Sequence, residues 1–124
     1  MRYLIDTNCC IYLYSNAYPS LNHRVSATSA GEIGMSTIVF AELALGSANG
    51  LGPSPESLEM LIGQIPVVSF DERAARAFAT MPFRRGRYDR LLAAHALSLD
   101  LIVITRNAAD FGDIPGLAVE NWTL

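Results

Sequence analysis

Four acidic residues, Asp6, Glu42, Asp89 and Asp110, stand where a parallel sheet would bring them together. Asp6 ends an apolar segment typical of a strand, and Asp110 follows another such segment near the C-terminus, shortly after Asn107. In open parallel sheets, sites form beyond the carboxyl ends of the strands. Glu42 and Asp89 lie near the starts of helices that would begin at that same edge. The spacing therefore predicts one site with several oxygen ligands.

A cluster of carboxylates has a characteristic chemistry. Close carboxylates repel one another in a cleft of low dielectric, and a divalent cation relieves that repulsion. Mg²⁺ takes carboxylate oxygens in octahedral geometry and retains several waters. One or two such ions can polarise a phosphodiester, generate a hydroxide nucleophile and stabilise the leaving oxygen. The cluster therefore predicts phosphodiester hydrolysis without a side-chain nucleophile.

Each acid also has an ordinary structural explanation. Asp6 and Asp89 could simply cap the helices that follow them. Glu42 lies among apolar residues, so it is either exposed or buried with a partner, because burial alone is costly. Asp71 is interpreted as a plain helix cap and is left out of the site.

Strand and helix patterns alternate along the chain, which predicts an α/β fold. We expect a three-layer α/β/α sandwich with a mainly parallel central sheet, forming a single domain over residues 1–124. Strands are predicted over 2–6, 32–36, 66–70, 101–105 and 117–120. Six helices are predicted. The first follows a cap at 6–8 and ends at about 15, and the fifth follows a cap at 69 or 71 and ends at about 81. The others are predicted over 21–30, 38–47, 57–64 and 88–99.

The basic residues exclude several enzyme classes. All nine are Arg, so a Walker A loop, a Schiff-base lysine and protein-kinase chemistry are excluded. The net charge of −3 does not indicate nucleic-acid binding by itself. Four of the arginines nevertheless fall within residues 84–90. Arg84, Arg85 and Arg87 are candidates for contacts with an RNA backbone, and Tyr88 could stack on an unpaired base.

The remaining chemistry-bearing residues have structural interpretations. Cys9 and Cys10 are adjacent in an apolar segment, which favours buried free thiols. His95 lies about 600° around the helix from Asp89 and is expected to be packed or hydrogen-bonded rather than a general base. No apolar run is long enough to span a bilayer, so a cytoplasmic location is expected.

Taken in order, these motifs resemble VapC-type PIN domains over essentially the whole chain. The resemblance rests on short segments whose order and spacing match. They are Leu4-Ile5-Asp6-Thr7-Asn8, Ser36-Thr37 with Glu42-Leu43 and Gly46, Asp89 with Ala93-Ala94-His95-Ala96, Val103-Ile104-Thr105 with Asn107, Asp110-Phe111, Pro115-Gly116-Leu117 and Asn121-Trp122.

The resemblance implies an endoribonuclease that uses Mg²⁺, or Mn²⁺ as a substitute, and leaves a 3′-hydroxyl and a 5′-phosphate. By position, Asp6, Glu42 and Asp89 match the three main metal-binding acids. The fourth position falls on either Asn107 or Asp110, and both remain open. Supporting or water-orienting positions then fall on Thr7, Ser36, Thr105 and Asn107.

The resemblance also implies partners. It predicts the toxin of a toxin-antitoxin pair, inhibited by a small antitoxin that has a DNA-binding N-terminal part and a C-terminal segment that wraps the toxin. A homodimer and a toxin-antitoxin hetero-oligomer are expected.

Three other functions make different demands on these residues. A haloacid-dehalogenase-type phosphatase would need an Asp two residues after Asp6 and a later Lys, whereas this chain has Asn8 and no Lys. A PIN-type nuclease acting on DNA or on structured nucleic acid remains open, because no residue recognises a 2′-hydroxyl unambiguously. A non-catalytic PIN-like RNA-binding module would be marked by loss of the acids.

Overall fold

The structure, a computed structural model, describes residues 1–82 and 88–124 of the chain. Its strands are β1 (Tyr3–Ile5), β2 (Ile33–Ser36), β3 (Val67–Val68), β4 (Ile102–Ile104) and β5 (Val119–Glu120). Its helices are α1 (Thr7–Ser15), α2 (Pro19–Ala27), α3 (Thr37–Ala48), α4 (Pro55–Gln64), α5 (Glu72–Ala79) and α6 (Tyr88–Leu99), with a 3₁₀ turn at Ala108–Phe111. The predicted α/β class is confirmed.

The five strands form one sheet in the order β3-β2-β1-β4-β5, and every pairing is parallel. The chain moves outward from β1 to β3 and then crosses back to β4. Because parallel crossovers are right-handed, α1 to α4 cover one face and α5 and α6 cover the other. Contacts of α1 with α2, α3 and α4, and of α5 with α6, agree with this three-layer arrangement.

Side-chain caps fix where most helices begin. At the start of four helices, the side chain of the residue before the helix accepts a hydrogen bond from a backbone N–H. These residues are Asp6 before α1, Ser36 before α3, Ser54 before α4 and Asp71 before α5. Such caps satisfy N–H groups that the first helical turn leaves unpaired. The assignment of Asp71 as a plain cap is confirmed.

Several predicted boundaries were wrong, among them those of three elements that differ by two residues or more. The second helix occupies 19–27 rather than 21–30, because Pro19 has the fixed φ favoured at a first helical position. The third strand contains only Val67–Val68, the two residues that pair with β2 at the sheet edge. The last strand begins at Val119 rather than at Leu117, since only Val119 and Glu120 pair with β4.

The core lies on both faces of the central strands. Leu4, Ile5, Val103 and Ile104 are fully buried, as a parallel strand covered on both faces requires. Gly46 lets the loop after α3 pack closely, because a Cβ there would lie 2.7 Å from the Gly52 carbonyl oxygen. Among the described helices, none is both long and apolar enough to cross a bilayer.

Candidate active site

Asp6 is fixed at the carboxyl end of β1. Its N–H donates to the Ile104 carbonyl at 3.0 Å, which joins β1 to β4 just below the edge of the sheet. Its Oδ1 accepts the Cys9 N–H at 2.8 Å, so the same side chain caps α1. The residue is only 6% exposed, and this burial raises the pKa of its carboxyl, although hydrogen bonds from Thr105 and Cys9 oppose the rise. Capping and site membership are therefore compatible roles for this carboxylate.

Glu42 reaches the same region from α3. The Thr7 hydroxyl donates to Glu42 Oε1 at 2.8 Å, across a separation of 35 residues. Burial is the main reason that the pKa of Glu42 is raised, and the nearby charges of Asp89 and Asp6 raise it further. The half-buried Glu42 thus has a hydrogen-bonding partner and lies within electrostatic reach of both other acids.

Asp89 lies in the first turn of α6 and is half-buried. It is the second residue of α6 as given above, and an acid in the first turn is favoured by the helix dipole. We call Asp6, Glu42 and Asp89 the carboxylate cluster. Three separate elements deliver these acids to the carboxyl edge of the sheet, which is where the sequence predicted them.

The cluster matches a hard divalent cation in its donor chemistry. All of its donors are carboxylate oxygens, the ligands that Mg²⁺ prefers, and burial raises the pKa values of both Asp6 and Glu42. Across residues 1–82 and 88–124, however, no three Asp, Glu, His or Cys side chains are positioned to hold an ion together. Joint coordination of one ion by all three acids would therefore require their side chains to rotate.

One of the predicted supporting residues, Thr105, contacts the Asp6 side chain directly. Thr105 is fully buried, hydrogen-bonds to the Asp6 side chain, and accepts the Asn107 N–H on its Oγ1 at 3.1 Å. Asp110 lies on the 3₁₀ turn, and its N–H donates to the Asn107 carbonyl at 3.0 Å. The side chain of Asp110 is exposed, so the choice between Asn107 and Asp110 as the fourth ligand stays a prediction.

His95 and Ser36 form a buried polar pair. Nδ1 of His95 lies 2.9 Å from Ser36 Oγ, and the imidazole packs edge-on against Phe70. Burial lowers the pKa of His95, which favours the neutral imidazole. The structure confirms the packed interpretation of His95, and Ser36 serves as a helix cap and a partner of this ring.

Cysteine chemistry plays no part in this site. Cys9 and Cys10 are buried free thiols, as the sequence predicted. Burial raises the pKa of both thiols, and the negative charge of Asp6 raises it further. Neither residue supplies a thiolate nucleophile or a thiolate ligand at neutral pH.

The basic segment before α6 divides into two parts. Arg84, Arg85, Arg87 and Phe83 lie outside the described residues, and Tyr88 is 62% exposed, as a stacking residue needs to be. The grouping of Arg90 with this patch was wrong. Arg90 is buried, and its Nη2 contacts both carboxylate oxygens of Asp113 at 2.8 Å. Sequence reasoning missed this pair because 23 residues separate its members.

The uncompensated charge of Glu42 predicts a stability effect. A carboxyl whose pKa is raised on folding stabilises the fold below its unfolded pKa, and this contribution is lost as the pH rises through the folded pKa. The ionised Glu42 therefore destabilises the metal-free protein at pH 7. We expect Glu42→Gln, which can still accept the Thr7 hydrogen bond, to melt a few degrees higher in EDTA. Thermal unfolding at pH 7 checks this, and the gain should shrink toward pH 4; an equal or lower melting temperature contradicts it.

Comparison with known proteins agrees with the fold and identifies the family. The family model described as "PIN domain" matches residues 3–117, which include the carboxylate cluster and both candidates for the fourth ligand. This chain is therefore a PIN-domain protein.

Relatives define the subgroup. Ribonuclease VapC1 from Haemophilus influenzae is 34% identical, with 99% of each chain covered. The tRNA(fMet)-specific endonuclease VapC from Salmonella typhimurium is 30% identical, with 98% of each chain covered. The crystal structure of DNA-bound VapBC from Salmonella typhimurium superimposes with a TM-score of 0.82 at 29% identity, again over 98% of each chain. The chain belongs to the VapC ribonuclease family and is a nuclease.

Proposed function

We propose that this protein is an Mg²⁺-dependent endoribonuclease that acts as the toxin of a toxin-antitoxin pair. The observation that carries the proposal is the electrostatic coupling of Glu42 to both Asp6 and Asp89, with Thr7 donating to Glu42. Burial raises the pKa values of Asp6 and Glu42, and the charges of Asp89 and Asp6 add to the rise at Glu42. Such an arrangement is understandable as a binding site for a divalent cation.

The chain's own residues divide the work. Asp6, Glu42 and Asp89 would hold the cation, with Asp110 or Asn107 as the fourth ligand. Thr7 orients the Glu42 carboxylate, and Thr105 orients that of Asp6. When bound, Mg²⁺ would polarise the scissile phosphodiester and activate water. His95 is buried and the thiols are protonated, so we assign the positioning of the attacking water to the acids together with Asn107.

The names of its VapC relatives support the choice of a substrate and a partner for this chain. The tRNA(fMet)-specific relative makes initiator tRNA the first substrate to test. The DNA-bound VapBC complex of a relative supports an antitoxin that binds both this chain and DNA. We propose that such an antitoxin inhibits the nuclease, and that the toxin forms a homodimer within the hetero-oligomer.

Metal dependence gives the direct test. We expect the purified chain to cleave tRNA(fMet) in millimolar Mg²⁺, to lose the activity in EDTA, and to regain it on addition of Mg²⁺ or Mn²⁺. Mapping the new ends should show 5′-phosphates. Cleavage that persists in EDTA would contradict the metal mechanism, and failure to cleave any RNA in Mg²⁺ would contradict the proposed function.

A further inference from the structure

Arg106 is a cation at the same edge of the sheet as the carboxylate cluster. It follows Thr105, which hydrogen-bonds to Asp6, and it precedes Asn107. β4 pairs with β1 in register, with Ile104 beside Ile5, so the chain leaves the sheet next to Asp6. The backbone of Arg106 is therefore fixed near the strand end that carries Asp6, the first acid of the cluster.

The backbone of Arg106 is held in place, whereas its side chain is exposed. The Asn107 N–H donates to Thr105 Oγ1 at 3.1 Å, and a hydrogen bond involving the Arg106 backbone reaches Cys9 at the start of α1. The side chain of Arg106 extends over Tyr18, with its Cζ 5.4 Å from the ring centroid. Tyr18 is itself held by Tyr12, whose ring meets it edge-on at 4.8 Å.

The charge of Arg106 is uncompensated in the described part of the chain. No carboxylate there forms an ion pair with it, whereas Arg24, Arg76 and Arg90 pair with Glu120, Glu72 and Asp113, respectively. Stacking on Tyr18 orients the guanidinium and leaves its edge N–H donors free for a ligand. A planar guanidinium suits a phosphate, which it can bind through two parallel hydrogen bonds.

An RNA strand that approaches the carboxylate cluster brings further negative charges into an acidic cleft. A cation at this edge of the sheet reduces that repulsion and fixes the position of the strand. Tyr18 lies between α1 and α2, whereas Tyr88 begins α6 on the other face of the sheet. Contacts at Tyr18 and at Tyr88 would therefore hold the substrate on both sides of the cluster.

We propose that Arg106, stacked on Tyr18, binds a backbone phosphate of the RNA substrate next to Asp6. The inference rests on the proposed ribonuclease function and adds a substrate contact to it. Arg106 takes part in binding and in positioning the strand rather than in the chemical step.

The test measures RNA binding without cleavage, using the full chain in EDTA and a fluorescent single-stranded RNA. We expect Arg106→Ala to weaken binding about five- to tenfold and to reduce the slope of log K against log salt by about 0.7, the value for one phosphate contact on a single strand. Arg106→Lys should keep most of the slope and lose part of the affinity, because it keeps the charge without the planar donors. Tyr18→Leu removes no charge, so it should weaken RNA binding with a smaller change in the salt slope than Arg106→Ala causes.

Arg24→Ala is the matched control. Arg24 is also an exposed arginine stacked on an aromatic ring, 4.3 Å from Trp122, but it is already paired with Glu120. Its removal changes the net charge by the same amount, and we expect RNA affinity within about twofold of that of the unsubstituted chain. In Mg²⁺, Arg106→Ala should raise KM and leave kcat nearly unchanged.

Two results would overturn the inference in distinguishable ways. Equal affinities and slopes for Arg106→Ala and Arg24→Ala, with RNA still bound and cleaved by the unsubstituted chain, would refute the role of Arg106 alone. No binding and no cleavage of RNA by the unsubstituted chain would refute the proposed function together with it.

Discussion

Asp6→Asn should abolish metal-dependent RNA cleavage while leaving the protein folded. The substitution removes the negative charge of the most buried acid of the cluster. An Asn at this position can still accept the Cys9 N–H and cap α1, because Asn and Asp are about equally good caps. We expect kcat to fall about 10²- to 10³-fold, the typical cost of removing one group that stabilises transition-state charge. Initial rates of RNA cleavage at saturating Mg²⁺ measure it.

Asp71→Asn is the matched control for this experiment. Asp71 caps α5 through the Ala74 N–H at 3.0 Å, just as Asp6 caps α1, but it is not a member of the carboxylate cluster. Cleavage by this variant should stay within about twofold of that of the unsubstituted chain, because exchanging one good cap for another costs little. Equal losses for the two variants, or full activity of Asp6→Asn, would rule out Asp6 as part of a metal centre.

The sequence predicted the α/β class and the positions of the acids because both depend on local signals. Apolar strands that alternate with amphipathic helices define the layers, and Asp6 lies where the first strand must end. The coupling of Glu42 with Asp6 and Asp89 then follows from topology, since parallel strands share one carboxyl edge.

Side-chain partners that depend on packing could not be predicted from the sequence. Nothing local shows that Thr7 donates to Glu42, that Ser36 meets His95, or that Arg106 rests on Tyr18. The ends of strands and helices were misplaced for a related reason. Pairing with a neighbour decides how long an edge strand is, and β3 and β5 each have two paired residues at the margins of the sheet.

The relation between Arg90 and Asp113 shows how a charge cluster in the sequence can mislead. Arg90 follows Asp89 and belongs by spacing to the basic run before α6, yet helical geometry turns it inward. Its partner lies in the loop after the 3₁₀ turn, so the pair joins the start of α6 to the segment that holds both candidates for the fourth ligand. The pair of Arg90 and Asp113 therefore has a structural role.

Asp113→Ala should strongly destabilise the protein, because it leaves the buried guanidinium of Arg90 without its carboxylate. Breaking a fully buried pair from one side costs about 3–5 kcal/mol. We expect about 2 kcal/mol here, since the side chain of Asp113 is 35% exposed while that of Arg90 is 6% exposed.

Arg90→Met, which removes the buried charge and keeps an apolar side chain, should cost less than Asp113→Ala. The control Glu72→Ala breaks the exposed pair with Arg76 and should cost below about 0.5 kcal/mol. Urea unfolding in EDTA measures all three free energies, and a cost for Asp113→Ala no larger than that for Glu72→Ala would show that the pair does not stabilise the fold.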